Sequence, residues 1–149
     1  MNITIKKADH LPDQIHLLAD HAQQENFQQI KKLINEYQQQ INLFNRSGEF
    51  LLLAYDDDQL VACGGLNTQI NEQGEPSRIG RVRRFYVLPK YRQSGLGKRL
   101  LQELERHAKP NFSALCLRTE LTSAARFFQK QNYVFVENHP NYNYFKYLI

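Results

Sequence analysis

Between Arg81 and His107 the chain passes from an apolar strand through a glycine turn into a helix, and few folds use those three pieces in that order. Val82, Phe85, Tyr86, Val87 and Leu88 have the β-branched, aromatic and aliphatic side chains of a buried strand. Pro89 ends it, because proline cannot donate to a ladder. Leu96, Leu100, Leu101, Leu104 and Ala108 then recur at helical spacing on one face, with Lys98, Arg99, Gln102 and Arg106 on the other. The junction, Arg92 to Lys98, reads R-Q-S-G-L-G-K. Gly95 and Gly97 let the backbone approach a ligand with no Cβ in the way. The first turn of the helix leaves N–H groups unpaired, and its dipole favours negative charge there. Arg92, Lys98 and Arg99 add full positive charges, so the junction suits a pyrophosphate.

Spacing separates the candidate phosphate motifs. A P-loop requires G-x-x-x-x-G-K-[ST], but Arg92 stands five before Gly97 and Arg99 stands where the hydroxyl belongs. A dinucleotide fingerprint requires three glycines, and this turn has two. What remains, R-x-x-G-x-G after an apolar strand ending in V-x-P, resembles the signature of the GNAT superfamily of N-acyltransferases.

The rest of the chain is consistent with one α/β domain spanning residues 1–149, long enough to bury a real core. No run approaches the length needed to cross a bilayer, and the first residues lack the apolar segment of a signal peptide, so a cytoplasmic address and no membrane partner are expected. Cys63 and Cys116 lie in separate apolar stretches and read as small buried hydrophobes. The five histidines show no metal-ligand spacing, and no metal is expected. Net charge is +4 but unevenly spread: through Leu60 there are 5 Lys/Arg against 9 Asp/Glu, and from Val61 onward 14 against 6. The basic part contains the glycine turn, which suits a polyanionic small ligand. Nucleic acid is not expected, since there is no recognisable nucleic-acid motif and no uninterrupted basic run.

Along the chain, Met1–Ala8 reads as a strand and Leu11–Gln24 as a helix. Phe27, Ile30, Ile34, Tyr37, Ile41 and Phe44 step by three and four, predicting a second helix whose stripe is core and whose ends and flanking loops could serve a substrate. Phe50–Tyr55 and Leu60–Leu66 form a hairpin about Asp56–Asp58, and Asn67–Ser77 reads as a loop. Ala114–Thr119 reads as a strand, and Ser123–Gln131 as a helix capped by Ser123 or Thr122. Tyr133–Val136 and Tyr142–Leu148 close the chain as strands. The order β-α-α-β-β-β-α-β-α-β-β is a mixed α/β layer. It is also the GNAT order, and the resemblance extends from about Phe50 to the C-terminus. A-C-G-G-L, V-L-P and R-Q-S-G-L-G match family segments. So does A-A-R-F-F-Q-K-Q-N-Y, with Ala124, Phe127, Phe128, Asn132 and Tyr133 at corresponding places.

The resemblance implies transfer of an acyl group, usually acetyl, from acetyl-CoA to an amine, on a sheet whose central strand pair splays. The donor's pyrophosphate would lie on Arg92, Gln93, Ser94, Gly95, Leu96, Gly97 and Lys98. Its pantetheine arm would run along Tyr86, Val87 and Leu88, and an N–H near Val87 would meet the thioester carbonyl. Two departures bear on catalysis. Phe128 occupies the family's usual tyrosine position, and Arg81, Arg83 and Arg84 stand where the central strand often offers an acid. Tyr86 and Glu120 are the remaining weak catalytic candidates, with Glu75 and Tyr142 further off. One or more of the arginines would suit an acceptor carboxylate, which points to a small carboxylate-bearing amine; the alternative is that they are solvated or ion-paired with the acidic first half. A non-catalytic acyl-CoA-binding or regulatory domain of the same fold stays open beside the enzyme. The resemblance makes a homodimer the assembly to look for.

Overall fold

The structure is a computed structural model describing residues 1–149, and its sheet is built around the strand that enters the glycine turn. The elements are β1 (Ile3–Lys7), α1 (Ile15–Gln24), α2 (Gln29–Gln38), β2 (Phe50–Asp56), β3 (Gln59–Ile70), β4 (Pro76–Val87), a 3-10 turn at Pro89–Tyr91, α3 (Leu96–Ala108), β5 (Ala114–Leu117), α4 (Thr122–Lys130), β6 (Val134–Phe135) and β7 (Tyr144–Tyr147). They form a seven-stranded mixed sheet in the order β1-β2-β3-β4-β5-β7-β6. Every pairing is antiparallel except β4 with β5. The parallel pair is joined through α3, a crossover long enough to return the chain to the same edge.

Adjacent strand residues point to opposite faces, and two neighbouring glycines show what each face holds. A Cβ on Gly64 would meet Phe85 and come within 3.7 Å of Leu104 on α3. A Cβ on Gly65 would run into the ring of Phe44, which follows α2. Helix α3 therefore covers one face, and α2 with its C-terminal loop covers the other. All five residues of the predicted α3 stripe, Leu96 to Ala108, are buried. Gly65→Ala is expected to push Phe44 out of its seat and destabilise the fold by about 1–3 kcal/mol, the usual cost of overpacking. Urea unfolding of the two proteins measures it.

Four expectations need correction. The second helix does not reach Phe44: it stops at Gln38, Gln40 turns left-handed at φ +59°, and Ile41 is 62% exposed. Phe44, itself left-handed at φ +51°, is buried all the same. Nor is Asn67–Ser77 a loop. Strand β3 runs to Ile70 and β4 begins at Pro76, leaving a turn closed by Asn71 N donating to Glu75 O. The polar residues of that strand extension are paired: Asn67 exchanges side-chain hydrogen bonds with Asn42, and Gln69 O accepts from the Ser77 hydroxyl. Helix α1 starts at Ile15, so Leu11 packs against the core from the preceding loop. Neither Thr122 nor Ser123 caps α4; the cap position is Leu121, whose N–H is taken by the Thr119 hydroxyl.

Candidate active site

The site begins with an irregularity in β4. Gly65 pairs with Arg83 and Cys63 with Tyr86, so Arg84 and Phe85 together oppose the single residue Gly64. This is a β-bulge, and Arg84 carries it at φ +57°, a left-handed conformation unfavourable for a long side chain. The bulge sends Arg84 to α2, where Nη2 donates to Glu36 Oε1 at 2.9 Å and Nη1 donates to Gln29 Oε1. It sends Phe85 to the opposite face, against the Phe127 and Phe128 rings.

Beside the bulge, β4 leaves β5. The two strands pair only at Ile79, Gly80 and Arg81 with Ala114, Leu115 and Cys116. Beyond that point they diverge around a cleft of about 540 Å³, bounded by Arg81–Phe85, Leu117–Leu121 and the α1–α2 connection Asn26–Gln29. The predicted splay of the central pair is this opening. Leu88 N donates to Val61 O at 3.0 Å, so by alternation the polar groups of Val87 face away from β3. The Val87 carbonyl accepts from Arg92 Nε at 2.9 Å on that open side.

At the far end of β4 the 3-10 turn delivers the chain to Gly95, the N-cap of α3, at φ +84°. No side chain caps this helix, and nothing lies within 4 Å of where a Gly95 Cβ would be. The first-turn amides have no intrahelical partner, and the space beside Gly95 is open, whereas a Cβ on Gly97 would meet the Phe127 ring at 3.3 Å. Gln93, Ser94, Lys98 and Arg99 are exposed around them.

Arg92 is not the free cation that the sequence suggests. Its two terminal nitrogens donate to the two oxygens of Glu25, each at 2.7 Å, and the Tyr86 hydroxyl donates to Glu25 Oε2 at 2.7 Å. The guanidinium also sits 5.4 Å over the Tyr86 ring, which stacks on Phe27 at 5.6 Å. The glycine turn is thus tied to the end of α1. Arg92 holds the Glu25 carboxyl below its ordinary range, with Tyr86 adding to the effect. A carboxylate with a lowered folded pKa stabilises the fold fully above its unfolded value of about 4.5 and loses that stabilisation as pH falls through the folded value. Glu25→Gln is expected to cost about 1 kcal/mol or less at pH 7, since the pair is partly solvated. The difference from wild type should shrink in thermal melts as pH falls below about 4.5 and through the lowered folded value.

The other sequence candidates fall into two groups. Tyr86 and Glu120 are both occupied: burial and Glu25 push the Tyr86 hydroxyl well above its usual pKa, and Glu120 is 74% exposed and paired with Arg118 at 3.0 Å. Phe128 lines the cleft, buried edge-on against Phe85, Phe127 and Tyr133. Glu75 is exposed on the β3–β4 turn, and Tyr142 stacks on His139. Of the arginines, Arg81 donates to the Asn141 carbonyl at 2.9 Å and Arg84 is held by Glu36 and Gln29. Arg83 borders the same cleft and makes no hydrogen bond or ion pair. Burial lowers its pKa to about 10, with Arg84 and Arg81 adding like-charge repulsion. Sequence reasoning named Phe27 and pointed to the ends and flanking loops of α2, but it did not single out Glu25, Gln29, Lys32 or Glu36. They come from the α1–α2 region, where the apolar stripe speaks only for the buried face. Cys63 and Cys116 are buried, and burial pushes both thiols up to about 12.

The comparisons agree with this geometry. The family model described as the acetyltransferase (GNAT) domain matches residues 46–135. No curated protein sequence matches the chain. Among solved structures, a protein from Exiguobacterium sp. 255-15 classed as an acetyltransferase is 27% identical, with a TM-score of 0.83 over 99% of this chain and 94% of its own. Ard1 from Thermoplasma volcanium superposes with a TM-score of 0.72 at 16% identity, over 100% of this chain and 99% of its own. The GNAT family N-acetyltransferase YhbS from Escherichia coli, in complex with CoA, gives 0.74 at 14% identity, over 100% of this chain and 83% of its own. The last two speak for the fold alone. With the family model covering more than half of the sequence and the cleft, bulge and glycine turn in place, the chain belongs to the GNAT acetyltransferases.

Proposed function

We propose that this chain transfers the acetyl group of acetyl-CoA to the nitrogen of a small amine that bears a carboxylate. The observation that carries the reading is the alignment of three features along one strand: the bulge at Arg84, the open edge at Val87, and the uncapped glycine turn at Gly95. Gly95 supports the fit of the donor, because a side chain there would fill space next to amides that suit a pyrophosphate. The E. coli neighbour, solved with CoA, is consistent with a CoA-derived donor.

In this reading the amides of Gln93 and of Gly95 to Lys98 hold the pyrophosphate, the Ser94 amide being taken by the Tyr91 carbonyl at 3.4 Å, with the exposed ammonium of Lys98 beside them. Arg92 supports the turn through the Val87 carbonyl, and its contact with Glu25 links donor binding to the α1–α2 connection that borders the cleft. Tyr86, Val87 and Leu88 present the backbone along which amides of the pantetheine arm add as an extra strand. The outward N–H of Val87 meets the thioester oxygen as charge develops on it. Arg83 takes the carboxylate of the acceptor, being the cleft arginine with no partner of its own. Holding the amine against the thioester supplies much of the acceleration by proximity.

The test is release of free thiol from acetyl-CoA against amines paired by charge: each amino acid against its amide or decarboxylated counterpart. The reading predicts turnover with the carboxylated member of each pair and at least about tenfold less with the neutral one. Preference for polyamines would overturn the acceptor assignment. Donor binding with no release from any amine would place the chain among acyl-CoA-binding domains instead.

A further inference from the structure

The cleft is rich in cations and has no carboxylate at liberty. Lys32 reaches it from α2, Arg81, Arg83 and Arg84 from β4, and Arg118 from the segment after β5. Against these stand Glu120, paired with Arg118, and Glu36, paired with Arg84. Glu25 is committed to Arg92 and Tyr86. No histidine borders the cleft, and Phe128 closes it where a hydroxyl could have stood. An incoming alkylammonium would therefore meet like charge and find no group to take its proton.

On the basis of the proposed transferase reading, we infer that the acceptor is a weakly basic amine carrying a carboxylate, one with an appreciable free-base fraction in neutral solution. An α-amino group next to an electron-withdrawing amide, or an aryl amine, is of this class. The proton balance then closes without a protein base. The neutral amine nitrogen forms its bond to the carbonyl carbon, the carbon–sulfur bond breaks with its electron pair going to sulfur, and the proton lost by nitrogen ends on that sulfur. The products are the amide and free coenzyme A, with no proton released to solvent. An alkylammonium must shed one proton more, and the groups facing the site are Lys32, Arg81, Arg83, Arg84 and Arg118, with Glu36 and Glu120 already paired and Glu49, near Arg83, accepting from the Arg46 and Thr68 N–H groups. Positive neighbours favour the neutral form of a bound amine, so the cleft selects by basicity as well as by the carboxylate. Arg83 anchors one end and the surrounding cations discourage charge at the other.

Two acceptors of equal length and equal carboxylate separate basicity from fit: glycylglycine, whose α-amine has a pKa of roughly 8, and δ-aminovalerate, whose amine resembles lysine at roughly 10.4. At pH 7 the free-base fractions differ by about 250-fold. Initial rates of thiol release by the wild-type protein, at saturating acetyl-CoA and across pH 6 to 9, read the effect. Glycylglycine should exceed δ-aminovalerate in kcat/KM at pH 7, by less than the ratio of free-base fractions because the more basic amine is the better nucleophile once free. The δ-aminovalerate rate should climb tenfold per pH unit with no plateau below its own pKa, and para-aminobenzoate should give a flat profile. Comparable rates for the length-matched pair at pH 7, or a plateau for δ-aminovalerate near neutrality, would reveal a working base in the protein and overturn the inference. Acetyl-CoA binding without transfer to glycylglycine or para-aminobenzoate would also overturn it. Failure to bind acetyl-CoA, seen in a parallel thermal melt, would instead overturn the donor reading beneath it.

Discussion

Gly95→Glu is expected to abolish acetyl-CoA binding, raising Kd by at least about 100-fold, while leaving a folded protein. Two effects combine. The residue at this position must hold φ +84°, and an L side chain in that conformation costs about 1–2 kcal/mol. The new carboxylate also stands at the head of α3, among amides and a dipole end that favour the donor's negative phosphates. Because nothing lies within 4 Å of the new Cβ, there is no steric reason for the fold to fail. Gly74 supplies a matched control: it has φ +79° and equally open surroundings, but sits on the β3–β4 turn away from the site. Gly74→Glu should share the strain and the charge change and keep full affinity. Calorimetric titration of both variants separates local strain from loss of the phosphate seat.

Arg83→Ala should lower kcat/KM for carboxylated acceptors by about 10–150-fold, the range for losing a hydrogen-bonded charge partner. Most of the change should fall on KM, since the arginine holds the acceptor and not the reacting carbon. Thermal stability should hold, because the guanidinium has no partner to abandon and its removal relieves repulsion from Arg81 and Arg84. Arg84→Ala should do the reverse. It leaves Glu36 and Gln29 without their donor and empties a side chain that is 4% exposed, so loss of stability of about 3 kcal/mol is expected. Steady-state kinetics with melts of the two variants test this division of labour. If Arg83→Ala left every acceptor unchanged, Arg83 would not be the carboxylate partner.

How much of this was readable beforehand depends on where the information resides. The α3 stripe was legible because its apolar residues follow one period and all face one sheet, and the glycine turn was legible because backbone chemistry there demands particular residue types. The end of α2 was not. Phe27 to Phe44 keeps helical spacing, yet no proline or glycine marks the break, and the left-handed residues are Gln40 and Phe44 itself. Periodicity identified Ile30, Ile34 and Phe44 as buried but wrongly included Ile41, and it did not give the path between them. Strand β3 was cut short in the reading because Asn67, Thr68 and Gln69 look like loop residues. Their polar groups are satisfied by Asn42, Glu49 and Ser77, partners that only the folded chain brings near. The same applies to the site. Three arginines within four residues can be counted from the sequence, but Arg83 becomes distinct only once Glu36 and Asn141 are seen to occupy Arg84 and Arg81. The contact of Arg92 with Glu25 joins residues 67 apart and leaves no local trace.

The central claim is that the Gly95 turn and the open edge of β4 form one acyl-CoA site. The most direct measurement is thermal unfolding of the wild-type protein with increasing acetyl-CoA, because a ligand that binds only the native state must raise the midpoint. At about 100 times Kd the stabilisation should reach about 2.7 kcal/mol and be competed by free coenzyme A. A midpoint that does not move at millimolar acetyl-CoA would contradict the account.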